Sequence, residues 1–349
     1  DGRAVGNPGT AVSTGVEAAG AKTILVDRSQ ERLEQIYKSG PESLLAGNAD
    51  LTSEESVVKV VASALKHFGR IDALINTVGG FRGGKAARLG PTLERAMTLE
   101  APDGEVPFVD TAQMVEVDRA MIEDYHIELI QMMENAGRNL AHLARMRFLA
   151  ADPRGKRILA MAGSGGNGGG ALVAARRLHN WGAQVTVALG QPPQAMTPIP
   201  AHQLDILQRM GVAGTDLMAD PRKLALPGNE PPFELILDGL IGYSLKGAPA
   251  GLIGELIRFA NDYPAPILAL DAPSGIDTTT GTVFDPAITA VATMTLALPK
   301  EGLRAGGVAN HVGEMYLADI SVPPALYGKP PLNMQVGPLF AREDVIRLW

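Results

Sequence analysis

The stretch from Lys156 to Leu178, KRILAMAGSGGNGGGALVAARRL, restricts the fold of this chain more than any other. Ile158 to Met161 is an apolar run with the length and character of a buried strand. Residues 163–170 read GSGGNGGG, and Ala171 to Leu178 strongly favours a helix. A strand, a glycine loop and a helix start make an anion-binding corner. The first N–H groups of the helix lack intrahelical partners and sit at the positive end of its dipole. Glycine lets that backbone approach a phosphate closely and take φ > 0. A tight strand-to-helix turn gives the same pattern, so on its own the stretch leaves phosphate binding open.

The elements that follow repeat the alternation. Ala183 to Ala188 reads as a strand, residues 201–210 as a helix, and Leu235 to Leu237 as a strand running into Asp238. Ala250 to Ala260 is helical, Ile267 to Leu270 is a strand ending at Asp271, and Ala290 to Leu298 is another strand. Before the glycine stretch, Asp110 can cap a helix from Thr111 to Glu123, and a second helix runs from Glu128 to Arg147. Alternating strands and helices imply a parallel sheet: an α/β, three-layer αβα, Rossmann-like doubly wound fold. Such sheets bind ligands beyond the carboxyl ends of their strands, at a switch point. Asn167, Asp238, and Asp271 with Ser274 all fall at that edge.

The first 90 residues carry a similar but shorter pattern. Val12 to Gly20 reads as a helix, Thr23 to Val26 as a strand capped by Asp27, and Arg32 to Lys38 as a helix. Leu44 to Ala46 is a weak strand, Ser53 to Phe68 a long amphipathic helix, and Ile71 to Ile75 a strand. AAGAKTILVDR, NADLTSEESV and FGRIDALINTVGG resemble the first half of a short-chain dehydrogenase/reductase. In that family the equivalents of Asp27, Asp50 and Asn76 lie along the cofactor. The first strand of that family has no residues here, and GNPG keeps only Gly6 and Gly9 of its loop. No Tyr in the chain is followed four positions later by Lys, the catalytic pair of those enzymes. Residues 1–90 are therefore expected to be a partial, incomplete Rossmann-type segment without redox activity. Residues 91–107 read as a linker and 108–349 as the main domain.

Composition sets the outer limits. The 349 residues carry a formal net charge of −7, which argues against general nucleic-acid binding. No cysteine is present, so disulfides, thiolate metal sites and a Cys nucleophile are excluded. The six His residues have no ligand spacing. No apolar run approaches a membrane span, and a cytoplasmic location is expected. The start, DGRAVGNPG, reads as neither a signal peptide nor a Met-initiated terminus, as in a fragment or a processed chain.

From about residue 108 onward, five blocks occur in one order: AQMVEVDRAMIEDY, MMENAGR, GSGGNGGGALVAARRL, LILDGLIGYSLKGAPAGLI and ILALDAPSGIDTTTG, trailed by LPKEGL. In these blocks the chain resembles the YjeF N-terminal domain, the NAD(P)H-hydrate epimerase family. The resemblance implies interconversion of the R and S forms of NADHX or NADPHX, reduced nicotinamide cofactor hydrated at C6. It implies one K⁺ per subunit, held by Asn167, Asp238 and Ser274, all hard oxygen donors. It implies substrate contacts from Gly166, Asn167, Gly168, Gly169 and Gly170, from Gly242, Tyr243, Ser244, Leu245, Lys246, Gly247 and Ala248, and from Asp271. A homodimer is compatible with it. Epimerising C6 needs a proton donor and acceptor within hydrogen-bond reach, and Asp271 is the residue chosen for that role. Family members usually read N-N-G-G-D-G where this chain has Gly166 to Ala171, so Gly170 stands in place of an Asp. The usual G-T-G-L is here Gly242-Tyr243-Ser244-Leu245. Losing the loop carboxylate is expected to weaken activity. The alternative reading is a catalytically silent nucleotide-binding or protein-interaction module on the same fold.

Overall fold

The computed structural model describes residues 22–37, 43–50, 53–71, 106–212 and 232–349, which fall into two units, one within Asp1–Thr98 and one within Leu99–Trp349. The helix expected at Val12 to Gly20, Gly6 and Gly9, Asn76 and most of residues 91–107 lie outside the described residues, as does the strand expected after Ile71.

In the first unit, β1 (Thr23–Val26) leads into α1 (Gln30–Ile36), β2 (Ser43–Ala46) and α2 (Glu54–Phe68). β1 and β2 pair in parallel, with Thr23 opposite Ser43 and Val26 opposite Ala46. Ser29 caps α1 by accepting from Arg32 N, while Gly69 closes α2 in the left-handed conformation. Leu25 and Leu33 form the small buried cluster of this unit.

The second unit opens with α3 (Thr111–Glu123) and α4 (Leu129–Leu143), the latter ending in a π-helical turn, Ala144–Phe148. Then follow β3 (Arg157–Ala162), α5 (Gly166–Asn180), β4 (Gln184–Leu189), α6 (Pro198–Arg209), β5 (Leu235–Gly239), α7 (Gly251–Asp262), β6 (Ile267–Leu270) and β7 (Ala292–Leu296). A short helix α8 (Ala309–Val312), β8 (Glu314–Ala318), α9 (Pro324–Tyr327) and β9 (Val345–Arg347) complete it. The seven strands run in the order β4-β3-β5-β6-β7-β8-β9, parallel except for the last pair.

Alternation along the strands produces the three layers. Ile158, Ala160 and Ala162 of β3, with Leu235, Leu237, Leu268 and Leu270, face the core that holds Leu172, Ala175 and Leu178 of α5. Leu159, Met161, Ile236, Ile267 and Ala269 face the opposite core, shared with Leu256, Ile257 and Ala260 of α7. Both faces are covered, which is why these strands read as continuous apolar runs. β3 is flanked by β4 on one side and β5 on the other, so the winding reverses between β3 and β5. The carboxyl ends of β3, β5 and β6 surround that switch point.

One expectation is corrected. Residues 166–170 are not a loop: α5 begins at Gly166, and only residues 163–165 form the turn after β3. The glycines are selected by close packing within a helix. A Cβ at Gly168 would lie 2.0 Å from the Gly163 carbonyl oxygen, and one at Gly169 would lie 2.5 Å from Met133 Sδ. Gly166 differs, since its Cβ would only meet Met133 Cε at 3.4 Å. Gly168→Ala should therefore cost several times the ordinary helix-glycine difference, which would favour Ala by about 1 kcal/mol. Gly166→Ala should be neutral or stabilising. Thermal midpoints of the two variants check this, and equal midpoints would refute the packing account.

Candidate active site

Three strand ends build the site. At the end of β5, Asp238 is fully buried. Its Oδ1 accepts from Ser274 Oγ at 2.7 Å and Leu240 N at 3.2 Å, and its Oδ2 accepts from Ser274 N at 2.8 Å. Burial pushes its carboxyl up to about 6, against the pull of those donors. Ser274 Oγ also accepts from Ile241 N at 2.9 Å, which ties the segment after β6 to the segment after β5. Gly275 permits this close turn: it holds φ +104°, and a Cβ there would lie 2.6 Å from Ala287 Cα.

In the first turn of α5, Asn167 donates through Nδ2 to the Leu270 carbonyl at 2.9 Å. Its Oδ1 is buried and has no hydrogen-bond partner. A buried amide oxygen without a donor is costly unless something electropositive meets it. Gly242 lies beside it, since a Cβ there would be 3.3 Å from both Asn167 Cγ and Asp271 Oδ2. Asn167, Asp238, Ser274 and Asp271 are thus gathered at one sheet edge, as their sequence positions suggested. Among the described residues no group of three or more His, Cys, Asp and Glu has metal-site geometry. Asn167, Asp238 and Ser274 are a different kind of donor set, oxygens from an amide, a carboxylate and a hydroxyl. A buried carboxylate and an unsatisfied amide oxygen together suit a hard cation.

Asp271 is the most constrained of the four. It is a non-glycine residue at φ +65°, and Ala272 N donates to Leu270 O at 2.8 Å across it, a γ-turn. Its Oδ1 receives the ammonium of Lys300 and, at 3.5 Å, the Thr295 hydroxyl. Lys300 is fully buried and also donates to Leu296 O at 2.8 Å and Thr295 Oγ1 at 3.3 Å. The backbone on either side of Lys300 is pinned to the start of the unit: Val109 N donates to Pro299 O, and Glu301 N donates to Val109 O, both at 2.9 Å.

Sequence reasoning named the LPKEGL block but gave Lys300 no role. A lone Lys in a Pro/Gly segment reads as surface, and its only available signal was that it directly follows an apolar strand. Asp118 was missed for the same reason, being one carboxylate on an amphipathic helix. It accepts a 2.5 Å hydrogen bond from the Tyr243 hydroxyl. Of the remaining expected contacts, Ser244, Lys246 and Ala248 are exposed, and Leu245 and Gly247 are half-buried. Gly170 is buried, and a Cβ there would lie 2.7 Å from Leu270 Cδ2. In the first unit Asp27 is buried at the end of β1; its Oδ1 accepts from Ser29 N at 3.0 Å and its Oδ2 has no partner. Asp50 is exposed and lies 3.7 Å from Arg28.

Residues 129–302 match the family described as YjeF-related protein N-terminus, and residues 6–98 match the short chain dehydrogenase family. The chain is 39% identical over 228 residues to an NAD(P)H-hydrate epimerase from Dehalogenimonas lykanthroporepellens, covering 65% of this chain and 87% of that one. The chain belongs to the NAD(P)H-hydrate epimerase family. It is 33% identical to a second NAD(P)H-hydrate epimerase, from Truepera radiovictrix, over 61% of this chain and 90% of that one. A bifunctional NAD(P)H-hydrate repair enzyme from Moorella thermoacetica is 34% identical over 66% of this chain but only 43% of its own length. The chain thus spans less than half of that bifunctional relative. The crystal structure of yeast ynu0, YNL200c, superimposes with a TM-score of 0.57 at 20% identity, over 70% of this chain and all of that one, which supports the fold.

Proposed function

We propose that residues 108–349 form an NAD(P)H-hydrate epimerase domain, following a linker at 91–107 and a partial dehydrogenase-like segment at 1–90. The observation that carries the reading is the buried Asp271–Lys300 pair at the switch point, beside the unpartnered Oδ1 of Asn167. The substrate class is NADHX or NADPHX. Its C6 is a hemiaminal carbon, and inverting it requires a proton to leave the C6 oxygen and one to reach the group that departs. Asp271 Oδ2 faces Gly242, while Oδ1 is held by Lys300, so one oxygen is anchored and the other is offered to the reacting centre. Gly166 and Asn167 at the start of α5, with Gly242 to Ala248, would line the approach, and Gly168 to Gly170 pack behind them. The free N–H groups at the start of α5 suit a diphosphate.

Asn167, Asp238 and Ser274 would hold K⁺, one per subunit. Bound there, the ion supplies fixed positive charge to a dry carboxylate and orients the substrate's oxygens. Potassium chloride should raise the thermal midpoint of the wild type more than lithium chloride at equal ionic strength. Asn167→Leu should abolish that difference. If wild type and variant respond alike, the cation assignment is lost. No helix among the described residues is long and apolar enough to cross a membrane, and we take the site of action as cytoplasmic.

A second reading, the silent module, is favoured by Gly170, where no carboxylate is present. Against it, Leu270 Cδ2 already fills the space a side chain would take. Position 170 therefore serves packing in this chain, and the acid–base groups stand elsewhere. Incubating the protein with one pure epimer of the hydrate and following formation of the other tests the activity. Exchange no faster than in protein-free solution would leave the silent module.

A further inference from the structure

A hemiaminal opens only if two protons move together. One leaves the C6 hydroxyl as the aldehyde forms. The N1–C6 bond breaks, its electron pair stays on N1, and N1 takes up a second proton. After rotation, ring closure on the other face reverses both transfers, so atoms and electrons balance without an oxidant or co-reactant. Asp271 accounts for one carrier.

We infer that Tyr243 is the second proton carrier of this site, with Asp118 as the residue that positions its hydroxyl. The inference rests on the epimerase reading above. Tyr243 directly follows Gly242, the residue that abuts Asp271 Oδ2 and Asn167. Its carbonyl is met by Thr278 Oγ1 at 3.4 Å, and Thr278 in turn lies 3.1 Å from Thr111 Oγ1 at the start of α3. Those contacts fix the loop against the helix that bears Asp118.

That helix is firmly started. Asp110 Oδ1 accepts from Gln113 N at 2.7 Å, while Gln113 Oε1 accepts from Asp110 N at 2.9 Å, a complete capping box. Val117 and Met114 pack it into the core, and Asp118 on the next position meets the Tyr243 hydroxyl. The Tyr243 hydroxyl donates to Asp118 Oδ2 at 2.5 Å, a short, charge-assisted bond. Burial pushes the Asp118 carboxyl up, against the pull of the hydrogen bond from Tyr243. Burial and the same carboxylate hold the Tyr243 hydroxyl in its protonated form. The arrangement is a hydroxyl that can give its proton to N1 as the ring opens and take it back as the ring closes, held in place by the Asp118 carboxylate. Tyr243 stands where the family motif usually has threonine.

The test uses the full chain and a single pure epimer of the hydrate. Tyr243→Phe deletes only the hydroxyl and keeps the ring in its apolar cluster, so folding should be preserved and is checked by the thermal midpoint. The expected result is a fall in kcat of about 10²-fold with KM within about threefold. Asp118→Asn still accepts from the tyrosine but carries no charge to hold its hydroxyl, and should lower kcat and flatten one limb of the pH–rate profile. Asp118→Glu should recover part of the rate. A raised KM with unchanged kcat in Tyr243→Phe would show a loop tether and overturn the proposal, as would an unaltered pH profile in Asp118→Asn. Wild type without exchange overturns the epimerase reading and this one with it. Wild type with exchange and an unaffected Tyr243→Phe overturns this one alone.

Discussion

Asp271→Asn is expected to slow R/S exchange by about 10²–10⁴-fold while leaving the fold in place. Both halves of that expectation follow from local structure. Residue 271 sits at φ +65°, a conformation that Asn and Asp tolerate better than other side chains. The amide oxygen of asparagine can still accept from Lys300 and Thr295, so the buried ammonium keeps a partner. The variant cannot take a proton at Oδ2, the oxygen that faces Gly242. Stopped-time measurement of the two epimers against protein-free controls, with a thermal midpoint alongside, separates lost chemistry from lost structure. Exchange at the wild-type rate would remove Asp271 from the reaction. Because Tyr243 is proposed to act in the same proton transfers, combining Asp271→Asn with Tyr243→Phe should cost little more than the larger single effect.

How much of this was legible in the sequence depends on the range of the interaction. The strands from β3 to β7 were readable because parallel strands covered on both faces become unbroken apolar runs, as in Ile267 to Leu270. The order of the strands was not readable. The rule that crossover folds present strand ends at a switch point still placed Asn167, Asp238, Asp271 and Ser274 at one edge, where hydrogen bonds bring Asp238 to Ser274 and Asn167 to the end of β6. The glycine stretch was misjudged locally. Glycine in a helix is unfavourable by propensity, so residues 166–170 read as loop, but the turn at residue 163 and helix α4 approach too closely for a Cβ at Gly168 and Gly169. Tertiary packing overrode propensity there. Lys300 and Asp118 were invisible for a related reason. Each is a single charged residue whose meaning comes from a partner far off in sequence: Asp271 for the first, Tyr243 for the second. β8 and β9 lie beyond the motif blocks, and β9 is only Val345–Arg347, too short to carry a period.

Lys300→Met should be the most destabilising change in the site, and the reason lies in what it leaves behind. Lys300 is fully buried and its Asp271 partner is nearly so. An intact buried pair contributes little net stability, because the desolvation of both charges offsets their attraction. Removing one member leaves the other charge without compensation, at about 3–5 kcal/mol. At roughly 2–4 °C per kcal/mol for a unit of this size, the midpoint should fall by about 6–20 °C. Methionine fills a similar volume, so the loss cannot be assigned to a cavity. Combining Lys300→Met with Asp271→Asn should restore most of the midpoint, since no unpaired carboxylate then remains, while leaving exchange as slow as in Asp271→Asn alone. That divergence between stability and rate is what an active-site ion pair predicts. A Lys300→Met midpoint equal to wild type would mean that the ammonium does not rest on Asp271. The carboxylate would then need another source for its anchoring at the switch point.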